Sequence, residues 1–183
     1  DRNYWLTRLD ALPPAPELPM AAALPLAAAT DSGRFSRRAF RLSMAQSEHL
    51  NASAAAGGTT LNALMLGAFA EVLGAWSRTR RFTLNLPIFR REPLHPEIDA
   101  VIGDFTSVTL LEIDLDAAKS FGDRVQAIGR QLFDDLDHAG FSGLEVLGEL
   151  SRRRGTAVLM PVVFTSTAGG APARRGQPDG YRI

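Results

Sequence analysis

The 183-residue sequence contains no cysteine, which excludes disulfides, thiolate metal ligands and a cysteine nucleophile. This absence is compatible with a reducing cytoplasm, where we expect the protein to act. The 20 basic and 20 acidic residues give no net charge, so electrostatics favours neither nucleic acid nor an anionic membrane as a partner. No apolar run approaches the roughly 20 residues that a membrane-spanning helix needs. We therefore expect partners that are neither nucleic acid nor membrane.

Histidine is scarce, and its three copies, His49, His95 and His138, are scattered along the sequence. We interpret them as isolated surface or core side chains. The chain begins at Asp1 without a methionine and ends at Ile183, so we expect it to belong to a longer protein. Its length and its 45% hydrophobic content are typical of one globular domain.

Residues 159–163 are almost continuously apolar and rich in β-branched side chains, which predicts a strand buried on both faces. Three hydroxyl residues follow, Thr165, Ser166 and Thr167, and the glycines at 169–170 end the strand. A strand that ends in this way holds a Ser or Thr rigidly at the mouth of a cleft. The alternative is a core strand whose last residues meet solvent.

The other patterns alternate between strands and helices, which indicates an α/β domain with a mixed sheet. Strands are predicted over 35–42, 82–89 and 108–114. Capping boxes at Ser43 and Ser142 and caps at Thr59 or Thr60 and at Ser120 predict four helices. The second of these has an apolar series at i, i+3, i+4 and i+7, which we interpret as its core-facing stripe: Leu61, Leu64, Met65, Ala68, Phe69, Val72, Leu73 and Trp76.

The two ends of the chain have a different composition. Residues 1–33 are rich in proline with spaced leucines, which predicts an extended segment lying along a surface, or alternatively a linker. Residues 171–183 are predicted to form a loop rich in Gly, Pro and Arg.

Four stretches, considered together, resemble the motifs of one family. They are the proline-leucine stretch at 12–20, the helix at 60–76 ending Val-Leu-Gly-Ala-Trp, the Gly-Asp-Phe-Thr-Ser stretch opening 103–111, and Pro-Val-Val-Phe-Thr-Ser at 161–166. All four occur in the order found in heterocyclization domains of nonribosomal peptide synthetases. The resemblance covers essentially the whole chain.

The resemblance implies a chloramphenicol-acetyltransferase-like lobe, an α/β unit with a mixed β-sheet flanked by helices. Residues 1–183 look like the C-terminal lobe of a V-shaped pair whose active site lies between the lobes. The paired-aspartate motif of the first lobe is absent, as is the His-His-x3-Asp-Gly motif of ordinary condensation domains. We expect the chain to be inactive without the other lobe.

The implied activity joins a carrier-bound acyl or peptidyl thioester to carrier-bound Cys, Ser or Thr and then removes water to give a thiazoline or oxazoline. The implied partners are peptidyl or aryl carrier proteins, the N-terminal lobe and neighbouring synthetase domains. We expect no cofactor or metal to bind this chain directly, because the phosphopantetheine belongs to the carrier proteins.

Thr165 matches the threonine that, in the family, works in cyclodehydration with an aspartate further downstream. That aspartate would lie beyond Ile183, and Asp179, in a Gly/Pro loop, is not a convincing substitute. Ser166 is the second catalytic candidate, although its hydroxyl is equally suited to bonding a neighbouring strand. Three substrate-binding candidates stand at the entry of a strand: Asp104, Thr106 and Ser107. A carboxylate at position 104 is suited to holding the tunnel wall through backbone N–H groups.

Arg90 is the remaining substrate-binding candidate, and it departs from the family pattern. Relatives often read Leu-Phe-Asn-Arg where this chain reads Ile-Phe-Arg-Arg at 88–91. A guanidinium cannot mimic an amide, so the change is drift, an altered substrate preference or lost cyclization. The alternative function is therefore a non-catalytic or condensation-only lobe that serves carrier docking. The basic run at 152–154 is either a carrier contact or a solvated helix end.

Overall fold

A computed structural model describes residues 1–19, 37–116 and 120–167 of the chain. The described elements, in chain order, are α1 (Arg2–Arg8), α2 (Met44–Ala56), α3 (Leu61–Trp76), β1 (Arg81–Phe89), a 3₁₀ turn (Ile98–Ala100), β2 (Thr106–Asp114), α4 (Phe121–Asp137) and α5 (Gly143–Arg154). Strands β1 and β2 pair antiparallel, and Val163 forms a parallel bridge to Asn85 of β1. The pairing is therefore mixed, and the predicted α/β fold class is confirmed.

Each face of the sheet has its own core. On one face Phe82, Leu84 and Leu111 of the strands pack with Leu66 of α3 and Ile128 of α4. On the other face Leu110 packs with residues of α1 and α5, among them Trp5, Leu9, Val146 and Leu150. The sheet thus lies between two helical layers, which hold both strands in place.

The predicted helix starts are confirmed. Ser43 and Ser142 each form a reciprocal capping box, with Gln46 and Glu145 respectively, and the hydroxyls of Thr60 and Ser120 accept N–H bonds from the first turns of α3 and α4. Helix α5 ends at Gly155, whose φ of 68° is a left-handed conformation that favours glycine. Side-chain caps are local, so the sequence alone places them correctly.

The predicted core stripe of α3 is only partly correct, because Phe69 and Leu73 pack partly buried against the core but Met65, Val72 and Trp76 are exposed. Trp76 is 67% exposed and Val72 61%, while the buried face consists mainly of small residues: Ala63, Leu66, Gly67, Ala70 and Gly74. A Cβ added at Gly67 would lie 2.6 Å from Val125 Cγ2 of α4. The helix packs closely through its glycines and alanines, which a hydrophobic period underweights, and several of its larger side chains, Met65, Val72 and Trp76, face outward. Among the described residues no single helix is long and apolar enough to span a membrane; α2 and α3 meet that test only together, across a 96° bend.

No continuous strand forms at 159–163, where Val163 alone makes a bridge, and the segment is buried on one side only. Met160 is buried, and Val162 and Phe164 pack partly buried against the cores, but Leu159 is 75% exposed and Val163 46%. The backbone pairs with β1 only around Asn85, where Asn85 N–H donates to Val162 O and Phe164 N–H donates to Asn85 O, each at 3.0 Å. The segment lies at an edge, so alternate side chains meet solvent.

Two further predictions need correction. The described part of the predicted 35–42 strand, residues 37–42, has no regular structure and is exposed, because no neighbouring strand pairs with it. The 1–33 lead-in is not extended throughout, because residues 2–8 form α1, whose Trp5 is fully buried. The loop predicted at 171–183 lies outside the described residues.

The described part of the proline-rich segment after α1 lies along the outer edge of β1. Pro14 O accepts the backbone N–H of Thr83 at 2.8 Å, and Pro13 O accepts the Thr83 hydroxyl at 2.6 Å. Leu12 is buried in the α1–α5 core. Residues 159–167 are called the Val163 segment below. The outer edge of β1 is thus shared between the proline-rich segment at Thr83 and the Val163 segment at Asn85.

A polar network joins α1 to α4. The Tyr4 hydroxyl, the Arg8 guanidinium and the Gln131 amide all donate to Asp135 Oδ1, at 2.7, 2.5 and 2.9 Å. Arg8 also faces Glu112 of β2 at 3.5 Å. Asp135 has no solvent exposure, and burial raises its pKa against the opposing effect of these three donors. The network attaches α1 to helix α4 and to strand β2.

Tyr4 provides a pH test of this network. Burial, followed by its contact with Asp135, raises the pKa of Tyr4 from 10.0 to about 12. The folded state therefore keeps the phenol proton up to a higher pH than the unfolded state does. The contribution of Tyr4 to the free energy of unfolding is complete below pH 10 and is lost as the pH rises through about 12. The sequence has two tyrosines, Tyr4 and Tyr181. In an alkaline titration followed by tyrosinate absorbance, we expect Tyr4→Phe to remove the later step; its persistence would contradict the assignment.

Two glycines of α5 form a matched pair for a stability test. A Cβ at Gly143 would lie 3.1 Å from the Val108 carbonyl oxygen and 3.3 Å from backbone carbons of β2, whereas a Cβ at Gly148 would meet nothing within 4 Å. We expect Gly143→Ala to lower the free energy of unfolding by about 1–2 kcal/mol, because backbone cannot move aside. Gly148→Ala should raise it by up to about 1 kcal/mol through helix propensity. The urea unfolding midpoints of the two variants, compared at equal m-values, measure both changes in stability. Equal shifts of the two midpoints would refute the close approach of α5 to β2.

Candidate functional site

The predicted site residues collect at one end of the sheet. Strand β1 ends at Phe89, which pairs with Thr106 at the start of β2, and Ile88 pairs with Ser107. Arg90 directly follows β1, and its N–H donates to Phe105 O at 2.8 Å. The Val163 segment runs parallel to β1, so the residues after it continue toward this same end. The fold therefore places segments far apart in sequence at one end of the sheet.

Thr165 and Ser166 follow the parallel bridge. Both residues are exposed, and the Ser166 hydroxyl donates to Asn62 Oδ1 of α3 at 2.6 Å. Ser166 and Asn62 border a cavity of about 100 Å³ whose other walls are mainly apolar: Leu66, Leu86, Pro87, Ile88, Leu132, Leu136 and Phe164. The polar rim and apolar floor suit a small side chain or acyl group.

Asp104 holds the entry of β2. Its Oδ1 accepts the Thr106 backbone N–H at 2.8 Å, and hydrogen bonds from the Thr106 hydroxyl and N–H lower the pKa of this exposed carboxyl. The carboxylate thus shapes the turn before Thr106. This contact is the backbone-holding role suggested by the sequence, and it leaves direct substrate contact as a prediction.

Arg90 and Ser107 line a second cavity, of about 360 Å³, with loop residues and the α4–α5 turn. The Arg90 guanidinium donates to the Ala139 carbonyl oxygen and to the Glu92 carboxylate. Its charge is therefore directed at the α4–α5 turn and the adjacent loop. An amide at this position would not reproduce that ion pair.

Sequence reasoning missed two residues at this end of the sheet. One is Asn62, which the apolar pattern of α3 hides. The other is Arg91, whose guanidinium carbon lies 3.9 Å from the centre of the Phe105 ring and 5.7 Å from that of Phe89. A basic residue directly after a strand with aromatic residues was the available signal for the second.

The basic run at the end of α5 has partners within the chain. Arg153 binds the Asp10 carboxylate at 3.0 Å, Arg152 pairs with Glu149, and Arg154 donates to the Leu12 carbonyl oxygen at 3.4 Å. These contacts attach α5 to the segment after α1. They favour the structural interpretation of the run over carrier contact.

The histidines do not converge. His138 stacks on the Tyr4 ring with centroids 3.9 Å apart, His95 accepts the Glu97 N–H through Nδ1, and His49 lies on the exposed face of α2. No group of three metal-ligating side chains suited to an ion occurs among the residues that the structure describes.

Comparison with known proteins identifies the family. The condensation domain family matches residues 1–168. The chain is 46% identical over all 183 residues to the pyochelin synthetase PchF of Pseudomonas aeruginosa, and 44% identical over 169 residues (92% of this chain) to the phenyloxazoline synthase MbtB of Mycobacterium tuberculosis. It spans only 10% and 12% of the lengths of these relatives. The chain belongs to the condensation domain family of nonribosomal peptide synthetases.

Solved structures place it more closely. The nonribosomal peptide synthetase FmoA3 matches 94% of this chain, with 42% identity, a TM-score of 0.81 and 18% of its own chain covered. The EpoB cyclization-docking bidomain of Sorangium cellulosum matches 92%, with 38% identity, a TM-score of 0.75 and 33% of its own chain covered. The resemblance to heterocyclization domains is thereby confirmed.

Proposed function

We propose that the chain forms the C-terminal lobe of a heterocyclization domain that acts on carrier-bound substrates. One observation carries the proposal: the Phe-Thr-Ser end of the Val163 segment is attached to both β1 and α3 and presents exposed hydroxyls at the sheet end. The similarity to a phenyloxazoline synthase and to a cyclization bidomain supports it.

The reaction has two parts. In the first, the amine of carrier-bound Cys, Ser or Thr attacks the acyl thioester carbonyl; a C–N bond forms, the C–S bond breaks, and the first carrier thiol leaves with a proton. In the second, the side-chain thiol or hydroxyl attacks the new amide carbonyl carbon. The former carbonyl oxygen then departs as water, and the amide nitrogen loses its proton as the C=N bond forms. The second part needs one group to accept a proton and one to donate it.

The residues divide between these tasks. Thr165 relays or orients a proton in cyclodehydration beside a carboxylate supplied by chain outside these residues. Ser166 supports it from the adjacent position. Asp104 and Thr106 shape the wall of the substrate channel, and Ser107 lies one residue further along β2.

The partners follow from the same proposal. Peptidyl or aryl carrier proteins deliver both substrates on phosphopantetheine arms, and the N-terminal lobe completes the channel. The whole assembly acts in the cytoplasm. No metal or further cofactor enters these steps.

Arg90 favours a second candidate, a condensation-only or non-catalytic lobe. Its guanidinium is bound to Ala139 O and Glu92, where relatives of the cyclizing family often carry an amide. If that amide is required for dehydration, this chain performs or supports only the first part of the reaction.

Product analysis decides between the two. The intact two-lobe domain is supplied with an acyl carrier and with a carrier loaded with Cys, Ser or Thr, and the products are weighed by mass spectrometry. Cyclization predicts a product lighter than the amide by one water. An uncyclized amide alone, with all three acceptors, would refute the heterocyclization proposal and favour the second candidate.

A further inference from the structure

Asn62 occupies the second position of α3. The helix start is rigid, because the Thr60 hydroxyl accepts the Ala63 N–H at 3.1 Å and the small buried face of α3 packs closely on α4. Asn62 Oδ1 accepts the Ser166 hydroxyl at 2.6 Å. This hydrogen bond attaches the residues after Val163 to the rigid start of a helix that lies 104 residues earlier in the chain.

Thr165 lies between two such attachments. On its N-terminal side, Phe164 N–H donates to Asn85 O of β1 at 3.0 Å. On its C-terminal side, Ser166 is bound to Asn62. Thr165 itself is exposed. The two attachments restrain the backbone on both sides of Thr165 and leave its side chain directed away from the core.

We propose that Asn62 is a positioning residue that acts through Ser166 to hold Thr165 in place for cyclodehydration. The inference rests on the proposed function of Thr165. Reacting groups must be held within a fraction of an ångström, and a misplacement of about 1 Å can lower a rate about 100-fold. Asn62 does not need to touch the substrate to have this effect.

The chemistry of position 62 explains the requirement. The cavity beneath is lined by apolar side chains, among them Leu132, Leu136 and Phe164, which offer the Ser166 hydroxyl no acceptor, and Asn62 Oδ1 provides one at the rim. Aspartate retains the acceptor and suits a helix N-terminus, whereas leucine has a similar shape and no acceptor.

The test uses the intact two-lobe domain with Asn62→Leu, Asn62→Asp, Ser166→Ala and the Asn62→Leu/Ser166→Ala double variant. Condensation and cyclization rates are measured separately, and hydrogen exchange is followed in peptides covering 164–167. We expect Asn62→Leu to slow cyclization about tenfold at an unchanged condensation rate and to speed exchange about tenfold, since one hydrogen bond is lost. Asn62→Asp should behave as wild type, and the double variant should be no slower than either single variant.

Three results would overturn the inference: unchanged exchange in Asn62→Leu, equal losses of condensation and cyclization, or additive effects in the double variant. A wild-type domain that forms no cyclized product would remove the proposed function and this role with it. Hydrogen exchange separates this failure from a failure of the inference alone. Faster exchange in Asn62→Leu would show that the Asn62–Ser166 hydrogen bond restrains the segment even in a domain that does not cyclize.

Discussion

Thr165→Ala is expected to abolish water loss while leaving amide formation intact. Proton transfer by a positioned side chain contributes roughly 10²–10⁴-fold to a rate, so the cyclized product should fall by about this factor. Amine attack on a thioester does not use this group in the proposed sequence, so the uncyclized amide should accumulate. Mass spectrometry of carrier-bound products measures both species in the same reaction.

Two variants serve as controls for this experiment. Thr167→Ala removes a neighbouring exposed hydroxyl two residues away and should cyclize as wild type does. Thr165→Ser retains a hydroxyl on the same restrained backbone and should recover much of the rate. If Thr165→Ala cyclizes at the wild-type rate, the hydroxyl has no part in proton transfer and Ser166 becomes the next candidate.

The second large effect concerns stability. Asp135→Ala removes the acceptor shared by Tyr4, Arg8 and Gln131 and leaves Glu112 as the carboxylate that faces the Arg8 guanidinium. Breaking a buried pair by removing one partner destabilises by roughly 3–5 kcal/mol, and the remaining Glu112 contact places this case at about 3 kcal/mol. Denaturant unfolding of the chain, followed through the fluorescence of its two tryptophans, Trp5 and Trp76, measures the loss.

Asp137→Ala is the matched control, because Asp137 lies on the same helix and is exposed. It should change the free energy of unfolding by no more than about 0.5 kcal/mol. The paired change Arg8→Leu/Asp135→Leu should recover most of the loss, since apolar residues of similar volume often replace a buried pair without cost. A loss in Asp135→Ala no larger than in Asp137→Ala would contradict the importance of the network.

The accuracy of the sequence predictions depended on the range of the interaction. Ser43, Thr60, Ser120 and Ser142 cap helices through bonds to residues three positions away; three were predicted directly, and the fourth was narrowed to Thr59 or Thr60. Which face of α3 is buried depends on contacts with α4 and the sheet, and the pattern of large apolar residues wrongly included exposed positions such as Val72 and Trp76. The burial of residues 159–163 likewise depends on which other segments pack against them. The composition of the segment alone does not show this.

The same distinction applies to the site. Resemblance placed Thr165, Ser166, Asp104, Thr106, Ser107 and Arg90, and the fold brings them to one end of the sheet. Their catalytic and binding roles stay predictions. Asn62 was not foreseen, because its partner is 104 residues away and nothing local distinguishes it from other polar residues at a helix start.

The outer edge of β1 has a consequence for how the protein behaves at high concentration. An open edge offers backbone donors and acceptors to another chain and is a common starting point for aggregation and domain swapping. Here the Thr83 and Asn85 amides are already bonded to Pro14 and Val162, and the next outward position is Pro87, which has no N–H to offer. A second molecule therefore finds no amide at any of these three positions, and intermolecular strand addition is blocked between residues 83 and 87.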